Sequence, residues 1–276
     1  MSKYLVTGGA GFIGANLVKE LLTAGHEVMV LDNFSAGKFK NRIHAGVKYI
    51  KGDIRQMKDL NRALKGVEGV FHTAAVPRMP YSVEHPQETN EHNITGTLNV
   101  LVAARDAGVK KVVYSASSSA YGNQKILPFV ETMKPRPMSP YGLQKLVGEE
   151  YARLFSELYG LRTVSLRYFN IYGPLMDPDG AYALVIGKFL RQKTAGEPMT
   201  VCGDGEYYRD YTHVDDIANA NILAMQSDKV GQGEAINIGN GHPHSVNELV
   251  KLIGGEFKFV PPRAGPPPQV RAPGWC

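Results

Sequence analysis

In Ser139-Pro140-Tyr141-Gly142-Leu143-Gln144-Lys145, a phenol and an ammonium stand four residues apart. If this segment opens a helix, Tyr141 and Lys145 share one face, one turn apart. An ammonium beside a phenol favours the phenolate, so the tyrosine's pKa falls from about 10 towards neutral. A phenolate at working pH is a general base. Spacing alone recurs by coincidence in many helices. The chemistry therefore needs two more things from the chain, a cofactor site and a hydroxyl partner.

The first 22 residues supply the cofactor site. Tyr4-Leu5-Val6 reads as a short apolar strand. Thr7-Gly8-Gly9-Ala10-Gly11-Phe12-Ile13-Gly14 follows, and Leu17, Val18, Leu21 and Leu22 then recur at helical spacing. Strand, glycine turn and helix form the context in which such glycines mark a dinucleotide site. Gly8, Gly11 and Gly14 let the backbone approach a pyrophosphate, which rests on the helix N-terminus. The second strand, Glu27 to Leu31, ends in Asp32. An acid there binds the adenine ribose hydroxyls and repels a 2′-phosphate, which points to NAD rather than NADP.

Further strands follow at Val47–Ile50, Gly69–Ala75 and Lys111–Ser115, with helices at Gln56–Leu64 and around Asn93–Leu101. Such alternation predicts an α/β fold, a Rossmann-type doubly wound parallel sheet with ligands at the carboxyl ends of its strands. The serines 117, 118 and 119 stand at one such end, before Tyr121-Gly122, and any of them could be the hydroxyl partner. The helix from Ser139 continues to Leu158, and a sixth strand spans Thr163–Arg167. Helices are predicted at Ala181–Gln192, His213–Met225 and Ser245–Ile253, with a strand at Ala235–Ile238 and a polar loop at Gly203–Tyr211. Residues 1–169, rejoined by 213–240, make the dinucleotide domain. Residues 170–212 and 241–276 make a smaller substrate-binding lobe, and Pro261–Cys276 reads as an irregular tail.

The 276 residues carry 43% hydrophobic and 21% charged residues, ordinary for a globular protein. A net charge of +5 suits an anionic ligand. No basic cluster or aromatic–basic platform suggests nucleic acid. No apolar run suggests a membrane span, and no apolar leader precedes the first strand, so the expected location is cytoplasmic. Cys202 and Cys276 lie too far apart for a metal spacing, and His242 and His244 read as solvated.

Together these motifs resemble the extended short-chain dehydrogenase/reductase family, in its nucleotide-sugar epimerase branch. The similarity runs from Tyr4 to about Arg263. It rests on the glycine turn, on Tyr141 with Lys145, on Leu166-Arg167-Tyr168-Phe169-Asn170, and on Gly203-Asp204-Gly205 with Arg209-Asp210. The resemblance implies Tyr141 as catalytic base, Lys145 on the nicotinamide ribose and Ser117 on the reacting sugar hydroxyl. It implies NAD contacts at Gly8, Gly11, Phe12, Ile13, Gly14, Asp32, Asn33, Ser35 and Gly37. Further contacts are implied at Asp53, Ile54, Ala74, Ala75, Asn93, Tyr141, Lys145 and Tyr168. It implies UDP-sugar contacts at Ser117, Ser118, Tyr141, Asn170, Val185 and Arg209. No metal is implied. A homodimer is, formed through the helices 90–107 and 141–159.

Dehydratases and decarboxylases of this family carry an Asp-Glu pair or a Glu just before Tyr-Gly. Here Ser118-Ser119-Ala120 stands there, which leaves NAD-dependent 4-epimerisation of a UDP-hexose, through a 4-keto sugar, as the simplest implied chemistry. A dehydratase or decarboxylase, or a catalytically silent NAD-binding module, are the alternatives. Asp177–Ile186 is similar to epimerases that accept N-acetylated sugars. Two departures stand out: Cys202 replaces an aromatic residue, and Arg263-Ala264-Gly265-Pro266 replaces Arg-x-Gly-Asp in a shortened C-terminus.

Overall fold

The computed structural model describes residues 1–36, 40–77, 79–177 and 185–261. Gly37, most of the 177–186 segment and the 263–266 departure lie outside these residues.

Seven parallel strands form the central sheet. They are β1 (Lys3–Thr7), β2 (Glu27–Asp32), β3 (Lys48–Lys51), β4 (Gly69–His72), β5 (Lys111–Ser117), β6 (Arg162–Tyr168) and a late strand, β11 (Gln232–Ile238). Their order is β11-β6-β5-β4-β1-β2-β3. The chain reverses its winding between β1 and β4, and ligands bind at such a switch point. Thr7 and His72, the last residues of β1 and β4, are register partners there.

Strands buried on both faces alternate their side chains between two cores. Leu5, Leu31, Val70 and Val112 pack beneath α2 (Met57–Ala63), α5 (Gly96–Asp106) and α6 (Pro140–Tyr159). Val6, Val30, Phe71 and Val164 pack against α1 (Phe12–Thr23) and α8 (Val214–Gln226).

The strand expected at 69–75 ends at His72, and Thr73 and Ala74 lie beside Thr7 and Gly8. The helix expected around Asn93 is present, running from α4 (Pro86–Asn90) through a π-turn at Glu91–Thr95 into α5, and a short helix α3 (Met79–Glu84) precedes it. Apolar periodicity does not register the extra residue that a π-turn accommodates.

A separate core forms outside the central sheet. Phe189 of α7 (Val185–Thr194) and Val250 of α9 (Val246–Ile253) pack on Met199 and Val201 of β8 (Met199–Cys202), which pairs with β13 (Phe257–Val260). Ser245 caps α9 in a capping box with Glu248. Within the segment read as a polar loop, Tyr208–Asp210 is a strand, β9, antiparallel to β12 (Pro243–Ser245). Two short strands, β7 (Ile171–Tyr172) and β10 (Thr212–His213), pair in parallel. Cys202 is a buried free thiol at the end of β8.

Helix α6 is held against the sheet by a buried ion pair. Arg167 Nε donates to Glu149 Oε2 at 2.9 Å, a second guanidinium nitrogen reaches Oε1, and the guanidinium stacks 4.6 Å over the Tyr121 ring. Burial opposes the arginine's charge, but the bonds to Glu149 outweigh it and raise its pKa. Removing one partner strands a buried charge. Glu149→Ala is expected to lower stability by about 3–5 kcal/mol in equilibrium urea unfolding; a change below about 1 kcal/mol is the signature of an exposed pair.

Candidate functional site

The glycine turn is built for close approach. A Cβ on Gly8 would lie 2.7 Å from the Ala74 Cα, and one on Gly14 would lie 2.3 Å from the Gly8 carbonyl oxygen. Gly11 is the N-cap of α1, with no side-chain cap and no acid in the first turn. Its first N–H groups and the positive helix end are thus open to an anion. Phe12 and Ile13 are the first two helical residues, both half-buried.

Asp32 sits beside this turn. Its carboxylate accepts from the Ala10 N–H at 2.9 Å and from the Phe34 N–H at 2.7 Å. Burial raises its pKa against the pull of those two bonds. Asn33 donates to Asp53 at 3.2 Å and accepts from the Ser35 N–H. Asp53 is gripped by Arg55, a residue that sequence reasoning missed, through Nε at 3.0 Å and Nη2 at 2.9 Å. Burial works against its charge, but the arginine and Asn33 bonds win and hold it at about 2. Ile54 is buried against Gly96.

Across the switch point runs a buried polar chain. Thr97 Oγ1 donates to the Asn93 carbonyl at 2.7 Å, so it accepts from His72 Nε2 at 3.0 Å. The other ring nitrogen, Nδ1, then accepts from Thr7 Oγ1 at 2.7 Å. Burial of the ring favours His72 as the neutral imidazole that this arrangement requires. Asn93 is anchored as well: its side chain pairs with both main-chain groups of Val76 and donates to Gln144 Oε1 at 2.8 Å. Gln144 in turn donates to Thr89 Oγ1 at 2.9 Å. His72 and Gln144 were also missed, because a lone buried histidine or glutamine leaves no mark in a periodic pattern. Asn93 lies in the π-turn, from which its side chain meets Gln144 and its carbonyl accepts from Thr97.

Ser139 caps α6 by accepting from the Gly142 N–H, and Pro140 takes the first helical position. Lys145 is buried and donates from Nζ to the Ser115 carbonyl at 2.7 Å. The face of Tyr114 lies 4.9 Å from that nitrogen. Burial pushes Lys145 down to about 7, so the charge expected to acidify Tyr141 is itself weakened by its surroundings. Tyr141 lies within electrostatic reach of the same Tyr114 phenol, and its N–H donates to Ser82 Oγ of α3 at 3.1 Å. A Cβ on Gly142 would lie 2.8 Å from the Ser119 carbonyl oxygen. The head of α6 therefore abuts the serine turn.

In that turn Ser117 ends β5 and caps the 3-10 segment Ser118–Ala120. Its Oγ accepts from Ser119 Oγ at 2.8 Å and from the Ser119 N–H at 3.2 Å. Ser119, not Ser118, is its hydroxyl neighbour.

Tyr168 turns its hydroxyl into the core, to Ser115 Oγ at 3.0 Å and the Asn221 amide at 2.8 Å, and burial lifts it to about 12. Its side chain is thus committed to the core, away from the switch point. Asn170 takes a left-handed conformation, φ 28°, and donates to the Asp210 carbonyl at 2.8 Å. That bond ties the chain just after β6 to Asp210 on β9, next to Arg209. Val185 opens α7 inside the lobe core. Ala75 is half-buried after β4.

The sequence matches the NAD dependent epimerase/dehydratase family over residues 4–239. This chain belongs to that family. It is 38% identical over 275 residues to a UDP-glucose 4-epimerase of Mycolicibacterium smegmatis, covering 95% of this chain and 86% of the relative. The crystal structure of UDP-glucose 4-epimerase with UDP-glucose from Thermotoga maritima is similar with a TM-score of 0.90 at 40% identity, covering 98% of this chain and 88% of that one. A UDP-N-acetylglucosamine 4-epimerase from Methanobrevibacter ruminantium M1, in complex with UDP-N-acetylmuramic acid, is similar with a TM-score of 0.89 at 38% identity, covering 96% and 86%. Among the described residues no helix is long and apolar enough to cross a membrane, and no His, Cys, Asp and Glu side chains group to hold a metal ion.

The neutral His72 has a pH signature. Burial first, and then the Lys145 charge, push its pKa to about 3, below the unfolded value of about 6.5. The unfolded chain binds the proton first as pH falls. The histidine's contribution is therefore complete above about 6.5 and is lost towards 3, at about 1.4 kcal/mol per pH unit between them. Urea midpoints of wild type and His72→Gln, compared from pH 7 to 4, are expected to converge as pH falls; parallel curves would show a histidine that protonates in place.

Proposed function

We propose that this protein is an NAD-dependent epimerase acting at C4 of a UDP-hexose, UDP-galactose and UDP-glucose first, through a transient 4-keto sugar. The observation that carries this reading is the meeting of the serine turn with the head of α6, where Tyr141 and Lys145 share Tyr114 as neighbour. The family match and the UDP-glucose epimerase relatives support the substrate class.

NAD, when bound, supplies the reversible oxidation at C4. Residues 1–169 and 213–240 would hold it, the rest of the chain the nucleotide sugar. The Gly8–Gly14 turn and the α1 N-terminus would take the pyrophosphate. Asp32 would take the adenine ribose, and Asn33, Ser35, Asp53 and Ile54 would line the adenine side. Ala74, Ala75, Asn93 and the Tyr168 main chain would line the nicotinamide side.

Lys145 has three N–H donors, and the Ser115 carbonyl takes one. Ribose hydroxyls would take the others and stabilise the ammonium that burial disfavours. The charged Lys145 then favours the Tyr141 phenolate. Tyr141 takes the proton from the 4-hydroxyl, directly or through Ser117, and later returns it. Ser117 is ready to donate, because its lone pairs already accept from Ser119. Ser118, Asn170, Val185 and Arg209 would contact the UDP-sugar. Ser118-Ser119-Ala120 offers no carboxylate for eliminating water.

Purified protein incubated with UDP-galactose is expected to form UDP-glucose. Tyr141→Phe should lose about 10²–10⁴-fold in rate and keep its NAD. Lys145→Ala should lose both rate and NAD, and Ser117→Ala should lose least, since water can bridge. Near-normal turnover in Tyr141→Phe would remove the proposed base. NAD bound to a wild type inactive on every UDP-hexose would favour a silent NAD-binding module.

The protein is further proposed to be a cytoplasmic homodimer. A buried free thiol suits a reducing compartment. Leu143, Leu158 and Tyr159 leave an exposed apolar surface on α6. Light scattering at micromolar concentration is expected to give twice the 30.2 kDa chain mass; a monomer mass rejects the dimer.

A further inference from the structure

The turn Gly173–Met176 leaves the end of β7, between Asn170 and Val185. Its chain direction is held from the opposite half of the molecule. Asn16, buried on α1 one turn past the glycine loop, donates from Nδ2 to the Phe12 carbonyl and to the Pro174 carbonyl, both at 2.9 Å. Arg42 is only 4% exposed. It donates from Nε at 3.0 Å and from Nη2 at 2.7 Å to one oxygen, the Leu175 carbonyl. The Asp177 carboxylate supports its charge against the cost of burial. Arg42 closes the 3-10 segment Lys40–Arg42. Two residues on, His44 Nε2 donates to the Ala15 carbonyl of α1 at 2.9 Å.

Two consecutive carbonyls of the turn therefore point at groups beside the glycine loop and after β2. Leu175 sits at φ 67° and Gly173 at φ 142°. A non-glycine residue stays in the left-handed region only where its surroundings over-determine it. Here the over-determination comes from Arg42 and Asn16. Neither side chain is needed to hold the sheet: both reach main-chain oxygens of the other half.

We propose that Asn16 and Arg42 are positioning residues for the nucleotide sugar, a clamp by which the cofactor half sets the turn 173–176 and, through it, the segment that starts at Asn170. The substrate arm of this proposal rests on the epimerase reading above. A rigid turn presents the 170–177 backbone in one arrangement, so binding does not have to order it. The arginine fork serves better than a lysine, because two donors on one rigid plane fix the carbonyl's direction.

The test uses the full chain with its bound cofactor, as wild type, Arg42→Ala, Arg42→Lys and Asn16→Ala. Without any added ligand, amide hydrogen exchange at 173–177 is expected to quicken by about tenfold in Arg42→Ala, the loss of about 1.4 kcal/mol of local stability. UDP, titrated calorimetrically, is expected to bind about tenfold more weakly, and KM for UDP-galactose to rise by a similar factor. The rate at saturation should stay within about threefold, and cofactor content should be unchanged. Arg42→Lys should recover part of the UDP affinity, and Asn16→Ala should shift it less in the same direction. If Arg42→Ala does not fold, the other two variants carry the comparison. Wild-type exchange and wild-type UDP affinity in the variants would overturn the clamp. So would a joint fall in melting temperature, cofactor content and UDP affinity with no recovery in Arg42→Lys. A wild type that neither binds UDP nor epimerises defeats the epimerase reading, while the exchange measurement still decides whether the clamp exists.

Discussion

The close seating of α6 on β5 is the constraint from which the site follows. Lys145 can reach the Ser115 carbonyl only if the helix backbone nearly touches the strand's side chains. Glycine makes that possible: a Cβ on Gly148 would lie 2.3 Å from the Tyr114 hydroxyl. Glu149, the next residue, locks the approach by pairing with Arg167 on β6. Tyr141, Gln144 and Lys145 then fall into place as consequences of helical spacing. Gln144 extends the same seating outward to Asn93 and Thr89, and so to the chain that follows β4.

A second set of contacts ties the two sides of the switch point together. Thr7, His72, Thr97 and Asn93 link β1, β4, α5 and the π-turn in one buried chain. Such a chain is costly when incomplete and rigid when satisfied. It fixes the mouth between Gly8 and Ala74, where the glycine turn needs a neighbour that does not shift. The dinucleotide motif therefore does not act alone. Its geometry is backed by a histidine and two threonines one layer below.

Much of this was legible in the sequence, for reasons that can be named. Gly8, Gly11 and Gly14 between a strand and a helix announce close backbone approach, and Ser139-Pro140 announces a helix start. Both are local signals, carried by residues with special backbone behaviour. Strand β9 escaped, since Tyr208–Asp210 is too short and polar to alternate, and its partner Pro243–Ser245 lies more than 30 residues away. The interruption at 91–95 escaped because a π-turn keeps the apolar face while shifting its phase. Tyr168 was assigned to a ligand by resemblance, yet strand alternation places its ring with Val164 and Leu166, on the α8 face. Arg42 and Asn16 could not have been singled out. The partners that matter here, the Pro174 and Leu175 carbonyls, lie more than 130 residues away, and carbonyls have no letter in a sequence.

The π-turn at Glu91–Thr95 also restricts how this chain can vary in length. It contains the slack of one residue, so deleting any of the five would let the segment close into ordinary α-helix. Five residues wound as a π-turn cover about the same rotation and rise as four wound as α-helix, so the helix on either side would keep its facing and only the positions inside the turn would shift. Thr89 would still face Gln144, but Asn93, inside the turn, would lose the place from which it meets Val76. The exposed positions of the segment, Glu91 and Thr95, can therefore vary in side chain, while its residue count is held by the place that Asn93 takes beside Val76.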